Sequence, residues 1–494
     1  MQGRAFLFLI VLAVGCTDNK KSANPVAQKD EDGSPSSGEE GEVEEDGDRS
    51  EDRTDDAQRF TWGVVVSTMQ LVHESLDPTI CPSGWTALQE ELAARGEGQL
   101  PPLQAAYVSR FDNLFEFMRA SVAAKATLWD SLPVLRLSTV WPCWAANEQW
   151  RNEMGQTVQN LLTVGWRIEL TLLHHDSYPA IFHSTGGFGL GGWSHDGAAD
   201  AFVEYARSVA TAMQSILPAG SRIYIANEPE ATLFNGYLDQ SGKWPPGGKN
   251  ASKSMAKAFL NMRRAFRESA RAVTEAGLEP AIAINVRPLL DNKGTPAERV
   301  LEHLHNGWLL DALVRGCNDN NFSGSCDDPE PAVLETIGLT FYGHMKADDK
   351  TVELADGLDM ALPVINVQPD ADLFRRTLEN VYTTYGDNVG VAEIGFSSAI
   401  PRQMELWLRE YLSAAELALP EYLHSFIQLH TLFQGAEFSE GEWRFHLLNG
   451  CGDEDLYFIF RKAVHYFGFL CAFHLAVKHP DCKVREYFFC QLFI

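Results

Sequence analysis

The stretch Ile223-Tyr224-Ile225-Ala226-Asn227-Glu228-Pro229 is an apolar run that ends in a carboxylate. A second stretch, Val389-Gly390-Val391-Ala392-Glu393, is built in the same way. Short apolar runs rich in β-branched residues are typical of strands that are buried in a parallel sheet. We therefore expect Glu228 and Glu393 to stand at the ends of two buried strands.

Further runs of this kind alternate with longer amphipathic stretches along the chain, which predicts successive βα units. Helical spacing of apolar residues is clear in 199–215, 253–276, 372–385 and 401–418. Eight units over this length indicate an α/β protein with a closed (β/α)8 TIM barrel. No glycine-rich phosphate loop follows the first strand, which argues against a nucleotide-dependent enzyme. The eight predicted strands are Thr61–Ser67, Val134–Thr139, Arg167–Leu173, Arg222–Ala226, Ala281–Val286, Thr336–Phe341, Val389–Ile394 and His424–Leu429.

The composition is that of a globular protein with a strong acidic excess. Of the 494 residues, 40 are Lys or Arg and 67 are Asp or Glu, which gives a formal net charge of -27. Such a charge repels nucleic acid and anionic lipid. A neutral or cationic small molecule is the better candidate partner, and the sequence predicts neither a cofactor nor a metal.

The N-terminal segment predicts export. Residues 5–14 form an apolar stretch of about ten residues, too short to span a bilayer. It ends at Ala13-Val14-Gly15-Cys16, which resembles the lipobox of bacterial lipoproteins, and this resemblance implies lipid attachment at Cys16. We expect a signal peptide over 1–16 and anchoring at the outer membrane or cell surface, so that the membrane is contacted only through lipid. Plain secretion is the alternative.

Three further segments are delimited by composition. Residues 17–58 are acidic and nearly free of apolar side chains, so we expect a disordered tether. Residues 59–468 hold the barrel, and the Phe- and Cys-rich residues 469–494 give no functional prediction. Of the nine cysteines, Cys317 and Cys326 flank a short polar loop, and we expect them to form a disulfide.

Two carboxylates at strand ends suit one particular chemistry. In a (β/α)8 barrel the catalytic groups stand at the C-terminal ends of the strands. Glycosidases that retain configuration use two carboxyl groups about 5 Å apart, one as acid/base and one as nucleophile. We expect Glu228 to be protonated as the acid/base and Glu393 to be ionised as the nucleophile.

Several motifs resemble those of family 1 glycoside hydrolases, the β-glucosidase family, in order and spacing over residues 60 to about 444. Shorter matches occur at Gly191-Gly192-Trp193, Asn235-Gly236-Tyr237 and Trp244-Pro245-Pro246-Gly247. The longer ones are 60–70, Leu135-Arg136-Leu137-Ser138-Thr139-Val140-Trp141-Pro142, 170–179, Asn227-Glu228-Pro229 and Ile337-Gly338-Leu339-Thr340-Phe341-Tyr342.

The resemblance implies a role for each matching residue. Gln70, His174 and Glu437 would bind the glycone, and Asn227 would belong to the same substrate-binding set. Arg136 would lie beside the nucleophile, and Tyr342 would contact it. An exo-acting β-glucosidase-like enzyme for small glycosides is therefore expected, with no cofactor and an undetermined oligomeric state.

The chain also departs from the family pattern in the walls of the sugar site. His175 stands where the family usually has Trp, Thr340 where it has Asn, and His430 where it has a Trp platform. Ala392 and Ile394 flank Glu393 where Thr and Asn are usual. Activity is thus a firmer expectation than glucose specificity.

The sequence leaves three alternatives open. His174, His175 and Asp176 could be metal ligands, but neighbouring strand residues face opposite sides, so both histidines should not reach one ion. A barrel with altered walls could bind carbohydrate with little turnover. An endo-acting β-glycanase of the same clan would have an open cleft in place of a pocket.

Overall fold

The structure is a computed structural model. It describes residues 61–68, 79, 81–97, 114–119, 134–175, 178–184, 191–355, 357–386, 388–395, 401–419, 426–429, 435–436 and 444–445. The predicted signal peptide, the acidic tether and the C-terminal segment 469–494 lie outside the described residues.

Eight parallel strands form a closed barrel. Each strand pairs with the next one along the chain, and the first also pairs with the last, through Thr61 and Phe426. The predicted (β/α)8 barrel is therefore confirmed. The strands are β1 (Thr61–Val66), β2 (Val134–Ser138), β3 (Arg167–Leu173), β4 (Arg222–Asn227), β5 (Glu279–Asn285), β6 (Thr336–Phe341), β7 (Val389–Ile394) and β8 (Phe426–Leu429).

Helices connect the strands, and several begin at side-chain caps. Ser83 and Thr295 each form a capping box with the residue three positions later, and the Asp370 side chain accepts a hydrogen bond from the Leu373 N–H at 2.8 Å. These caps satisfy amide groups that have no partner within the helix. The α-helices are Gly84–Arg95, Leu114–Phe117, Trp141–Ala146, Glu148–Thr163, Ala198–Met213, Pro229–Leu238, Ser252–Glu275, Pro296–Asn306, Trp308–Val314, Ala371–Tyr385 and Pro401–Ala418, and the 3-10 turns are Ala180–Phe182 and Gly192–Ser194.

The barrel interior contains one large ring among small side chains. Tyr224 packs with Ala281, Ala283 and Ala392, all of them buried. A Cβ atom at Gly338 would clash with the Ala392 Cβ, so glycine is required for β6 and β7 to approach this closely. Small residues on β5, β6 and β7 therefore make room for Tyr224.

A polar network occupies the end of the barrel where the strands begin. Arg222 donates to Glu169 at 3.0 Å and to Glu279 at 3.1 Å. Thr336 donates to the same Glu279 oxygen at 2.5 Å. Ion pairing at the N-terminal ends supports the barrel and leaves the opposite end for the functional loops.

Two features were not predicted from the sequence. An antiparallel hairpin, His344–Ala355 and Leu358–Asn366, follows β6. A disulfide joins Cys81 to Cys143, whose Cα atoms are 4.2 Å apart. A second disulfide, the one expected from the sequence, joins Cys317 to Cys326, with Cα atoms 5.0 Å apart.

No helix in the described part of the chain has both the length and the apolar character that a membrane span requires.

Candidate active site

Each of three successive strands is followed, within two positions, by a residue with left-handed backbone conformation. Val140 follows β2 with φ 61°, His175 follows β3 with φ 58°, and Glu228 follows β4 with φ 48°. Non-glycine residues with such angles are costly and are concentrated at functional sites. The turns set the directions of the side chains at the C-terminal rim of the barrel.

Glu393, near the end of β7, is 2% exposed. Its Oε1 accepts a hydrogen bond from the Tyr342 hydroxyl at 2.6 Å. Its Oε2 accepts from Arg136 Nη2 at 3.2 Å, and His174 Nε2 lies 3.7 Å from the same oxygen. A guanidinium and a hydroxyl that donate to a buried carboxyl group stabilise its ionised form.

Glu228 is also buried but has a different set of partners. Its Oε1 accepts from Asn285 Nδ2 at 2.8 Å and from the Thr340 hydroxyl at 2.5 Å. Its Oε2 faces His175 Nε2 at 3.3 Å. No arginine or lysine is paired with Glu228 among the ion pairs of the described residues.

Arg136 links the ends of three strands across the barrel. Its side chain is fully buried and lies 4.6 Å from the centroid of the Tyr224 ring. Nη1 donates to Asn227 Oδ1 at 3.0 Å, and Nη2 donates to both Glu393 and the Ala392 carbonyl. Asn227, next to Glu228 in sequence, therefore holds the arginine that contacts Glu393.

The register of the strands brings the two carboxylates to one rim. Thr340 is the backbone partner of Glu393 in the β6–β7 pair and of Asn285 in the β5–β6 pair. The Thr340 hydroxyl nevertheless donates to Glu228. Thr340 and Asn285 are thus direct neighbours of the site on strands between those that carry the two glutamates.

A third carboxyl group near the site, that of Glu230, was not predicted from the sequence. It is 1% exposed, and its Oε1 accepts a hydrogen bond from the Asn285 N–H. Burial raises the pKa of Glu230 well above its usual value, the neighbouring Glu228 raises it further, and Arg287 opposes this change. Arg287 Nε in turn donates to Asn285 Oδ1 at 3.2 Å.

The expectation that His174 and His175 face opposite sides is wrong. His174 points to Glu393 and His175 to Glu228. The reason is that β3 ends at Leu173 and the left-handed backbone of His175 breaks the alternation of a strand. Among the described residues, no group of three or more His, Cys, Asp or Glu side chains is arranged to hold a metal ion.

Aromatic side chains form the wall next to His175. The Trp244 ring meets the imidazole edge to face, with centroids 5.6 Å apart. Trp85 packs on Trp244 at 4.9 Å and donates its indole N–H to the His175 carbonyl at 2.8 Å. These contacts fix the backbone and one face of His175.

Six of the residues singled out in the sequence come together at the rim, and they are Arg136, His174, Asn227, Glu228, Tyr342 and Glu393. Asn285 and Thr340 lie directly on Glu228, a role that the sequence did not indicate for either. Gln70, Asp176, His430 and Glu437, like Cys16, lie outside the described residues.

Solved structures with the same fold include β-glucosidases. A family 1 β-glucosidase from Thermotoga maritima is 17% identical, with a TM-score of 0.66 over 84% of this chain and 98% of that chain. The β-glucosidase from the same organism in complex with castanospermine is 18% identical, with a TM-score of 0.65 over 84% of this chain and 99% of that chain. An AHE enzyme from Alicyclobacillus herbarius is 17% identical, with a TM-score of 0.66 over 83% of this chain and 98% of that chain.

Neither a protein-family model nor a curated protein matches the chain. At 17–18% identity the likeness establishes the fold, which is the (β/α)8 barrel of family 1 β-glucosidases. The barrel that the sequence motifs predict is thereby confirmed at the level of the fold.

Proposed function

We propose that this protein is a β-glycosidase that retains anomeric configuration, with Glu228 as acid/base and Glu393 as nucleophile. The observation that carries the proposal is the different environment of two buried carboxyl groups at one rim. Glu393 receives hydrogen bonds from Arg136 and Tyr342, whereas Glu228 receives none from an arginine or lysine in the described part of the chain. This asymmetry suits one group that stays ionised and one that exchanges a proton.

In the first half-reaction, a Glu393 carboxylate oxygen attacks the anomeric carbon. The bond from that carbon to the glycosidic oxygen breaks, and the proton of Glu228 passes to the leaving oxygen. Arg136 and Tyr342 hold Glu393 in one orientation for this attack. Asn285 and Thr340 both donate to Oε1 of Glu228, so Oε2 is the oxygen suited to carry the proton.

In the second half-reaction, the ionised Glu228 takes a proton from water. The water oxygen bonds to the anomeric carbon as the ester bond to Glu393 breaks. Both carboxyl groups return to their starting states, and two inversions at carbon give net retention.

The substrate class proposed is a small β-glycoside or oligosaccharide attacked from its end. The two β-glucosidase structures from Thermotoga maritima, which have the same fold, support this choice. An endo-acting β-glycanase would release oligosaccharides first, whereas an exo enzyme releases monosaccharide from the first minutes. Product analysis on a β-linked oligosaccharide separates the two.

The test of mechanism is the configuration of the first-formed sugar. The protein is incubated with a panel of aryl β-glycosides, and the product is followed by proton NMR before mutarotation. We expect the β-anomer to appear first. An α-anomer would show that the roles are wrong even if both glutamates proved essential. Saturable sugar binding without turnover of any glycoside in the panel would favour a carbohydrate-binding barrel instead.

A further inference from the structure

His175 is the described residue that faces the proton-carrying oxygen of Glu228. Its Nε2 lies 3.3 Å from Oε2, and the two side chains are only 14% and 9% exposed. At this distance the carboxyl group and the imidazole can exchange a proton directly when they approach slightly.

The other oxygen of Glu228 is already engaged. Asn285 and Thr340 both donate to Oε1, at 2.8 Å and 2.5 Å. A carboxyl oxygen that accepts two hydrogen bonds is a poor site for a third hydrogen. The proton used in catalysis is thereby directed to Oε2, the oxygen next to His175.

We propose that Glu228 and His175 act together as one acid/base unit that shares a proton. This inference rests on the proposed function and deepens it. In the first half-reaction the proton leaves Oε2 for the glycosidic oxygen. When it resides on His175 Nε2, it first moves to Oε2, which leaves the imidazole neutral. In the second half-reaction the proton that water gives to Oε2 restores the pair.

Sharing changes the pH at which the unit loses its last proton. Two coupled groups titrate as a pair, and the pair keeps a proton for as long as either member can hold it. An imidazole ordinarily holds its proton to about pH 6.5 and a glutamate to about 4.3. An ionised carboxylate next to the imidazole extends this range upward. The pair therefore remains competent as an acid at pH values where a lone glutamate would be ionised.

Other titratable and aromatic groups also lie near His175 in the described part of the chain. In the same segment, the centroid of the His174 ring lies 5.6 Å from that of the His175 ring, and His174 in turn faces Glu393. The Trp244 ring also contacts the His175 imidazole, and Trp244 lies on the loop after the helix Pro229–Leu238. Among the ion pairs of the described residues, the His175 imidazole is paired with Glu228.

His175→Gln tests the proposal, because glutamine keeps a hydrogen-bonding amide but cannot titrate. The dependence of kcat/KM on pH is measured for wild type and variant with an aryl β-glycoside that has a poor leaving group. We expect the alkaline limb of the kcat/KM profile to lie at lower pH in the variant than in wild type, by about one pH unit or more. A uniform fall in kcat/KM at every pH, with the alkaline limb at the same pH as in wild type, would mean that His175 has a structural role and would overturn the proposal.

The matched control is His183→Gln. His183 also faces a glutamate, with Nε2 2.9 Å from Glu91 Oε2, but it does not contact either catalytic glutamate. Its removal should leave the position of both pH limbs unchanged.

A second measurement does not require the glutamine variant to fold or the wild type to turn over. The Cε1–H signal of His175 is titrated by NMR in wild type and in Glu228→Gln, with His183 as an internal reference. We expect His175 to titrate at lower pH in Glu228→Gln, because the neighbouring carboxylate has gone. Identical titrations would overturn the shared proton, whereas absent turnover in wild type would reject the glycosidase assignment alone.

Discussion

Glu228 and Glu393 are the same residue type in two different settings. Glu393 is held between Tyr342 and Arg136, and Arg136 is itself fixed by Asn227. Glu228 lies against an amide, a hydroxyl and an imidazole. Replacement of Glu228 and replacement of Glu393 should therefore impair turnover in different ways.

Glu228→Ala should impair substrates with poor leaving groups most, because an activated aryl leaving group needs little protonation. Azide should restore turnover and give a β-glycosyl azide, since a small anion attacks the glycosyl-enzyme without a base. Rates with a nitrophenyl and an alkyl β-glycoside, with and without azide, measure this. Equal losses on both substrates would contradict the acid role.

Glu393→Ala should lower turnover of every β-glycoside by about three orders of magnitude or more, because no covalent intermediate forms. Azide rescue here should give the α-azide, since attack occurs once from the vacated face. The matched variant is Glu393→Gln, which preserves the shape of the side chain and removes its charge. A β-azide from Glu393→Ala would speak against its role as nucleophile.

Glu230 predicts a pH dependence of stability. Because burial raises its pKa in the folded state, Glu230 supports folding only while it is protonated, and this support is lost as pH rises through the folded pKa. Glu230→Gln keeps an acceptor for the Asn285 N–H without the charge. Between the unfolded-state and folded-state pKa values, we expect the variant to gain about 1.4 kcal/mol of stability relative to wild type for each pH unit of increase. Urea unfolding at pH 5, 7 and 9 measures this, and a constant difference across pH would contradict it.

The sequence predicted some site residues and missed others for physical reasons. Glu228 and Glu393 stand out because each ends an apolar strand, where a carboxylate has no packing role. Asn285 also closes a strand, and this signal could have found it. Glu230 lies in the first turn of a helix, where an acidic residue is ordinary, so its burial becomes visible only in three dimensions.

At the scale of elements, the barrel strands were predictable because they are buried on both faces. Strand β5 was expected over Ala281–Val286 and spans Glu279–Asn285. The hairpin after β6 was missed because many of its residues are polar and partly exposed, so no apolar alternation marks it.

The loop between Cys317 and Cys326 is organised by more than its disulfide. Cys317–Asn318 pairs with Asp328–Pro329, and the Asp319 carboxylate accepts backbone N–H groups from Asn321, Ser323 and Gly324. Such a loop retains part of its order when the covalent bond is removed.

We expect peptide mapping without reduction to recover Cys317 and Cys326 as a linked pair. A Cys317→Ser, Cys326→Ser double variant should lose at most about 2–3 kcal/mol of stability, because a short loop releases little entropy in the unfolded chain. Free thiols at both positions in exported protein would contradict the pairing.

At the scale of the whole molecule, we propose that the protein is exported and held at the membrane by lipid on Cys16. Cys16→Ser should release the protein into the soluble fraction, since a short apolar leader without acylation cannot anchor it. Fractionation and mass spectrometry of the N-terminal peptide measure this. Unchanged membrane association with no acyl group at Cys16 would contradict the proposal, and a cleaved soluble protein would indicate plain secretion.

The pairing of β1 with β8 also has a consequence for synthesis. During translation β1 emerges first, and its partner Phe426 follows only near the end of the chain. Until then the sheet has two open edges, which are templates for association with other chains. We expect nascent or truncated chains that stop before β8 to depend on chaperones, however many of the other seven strands have already formed.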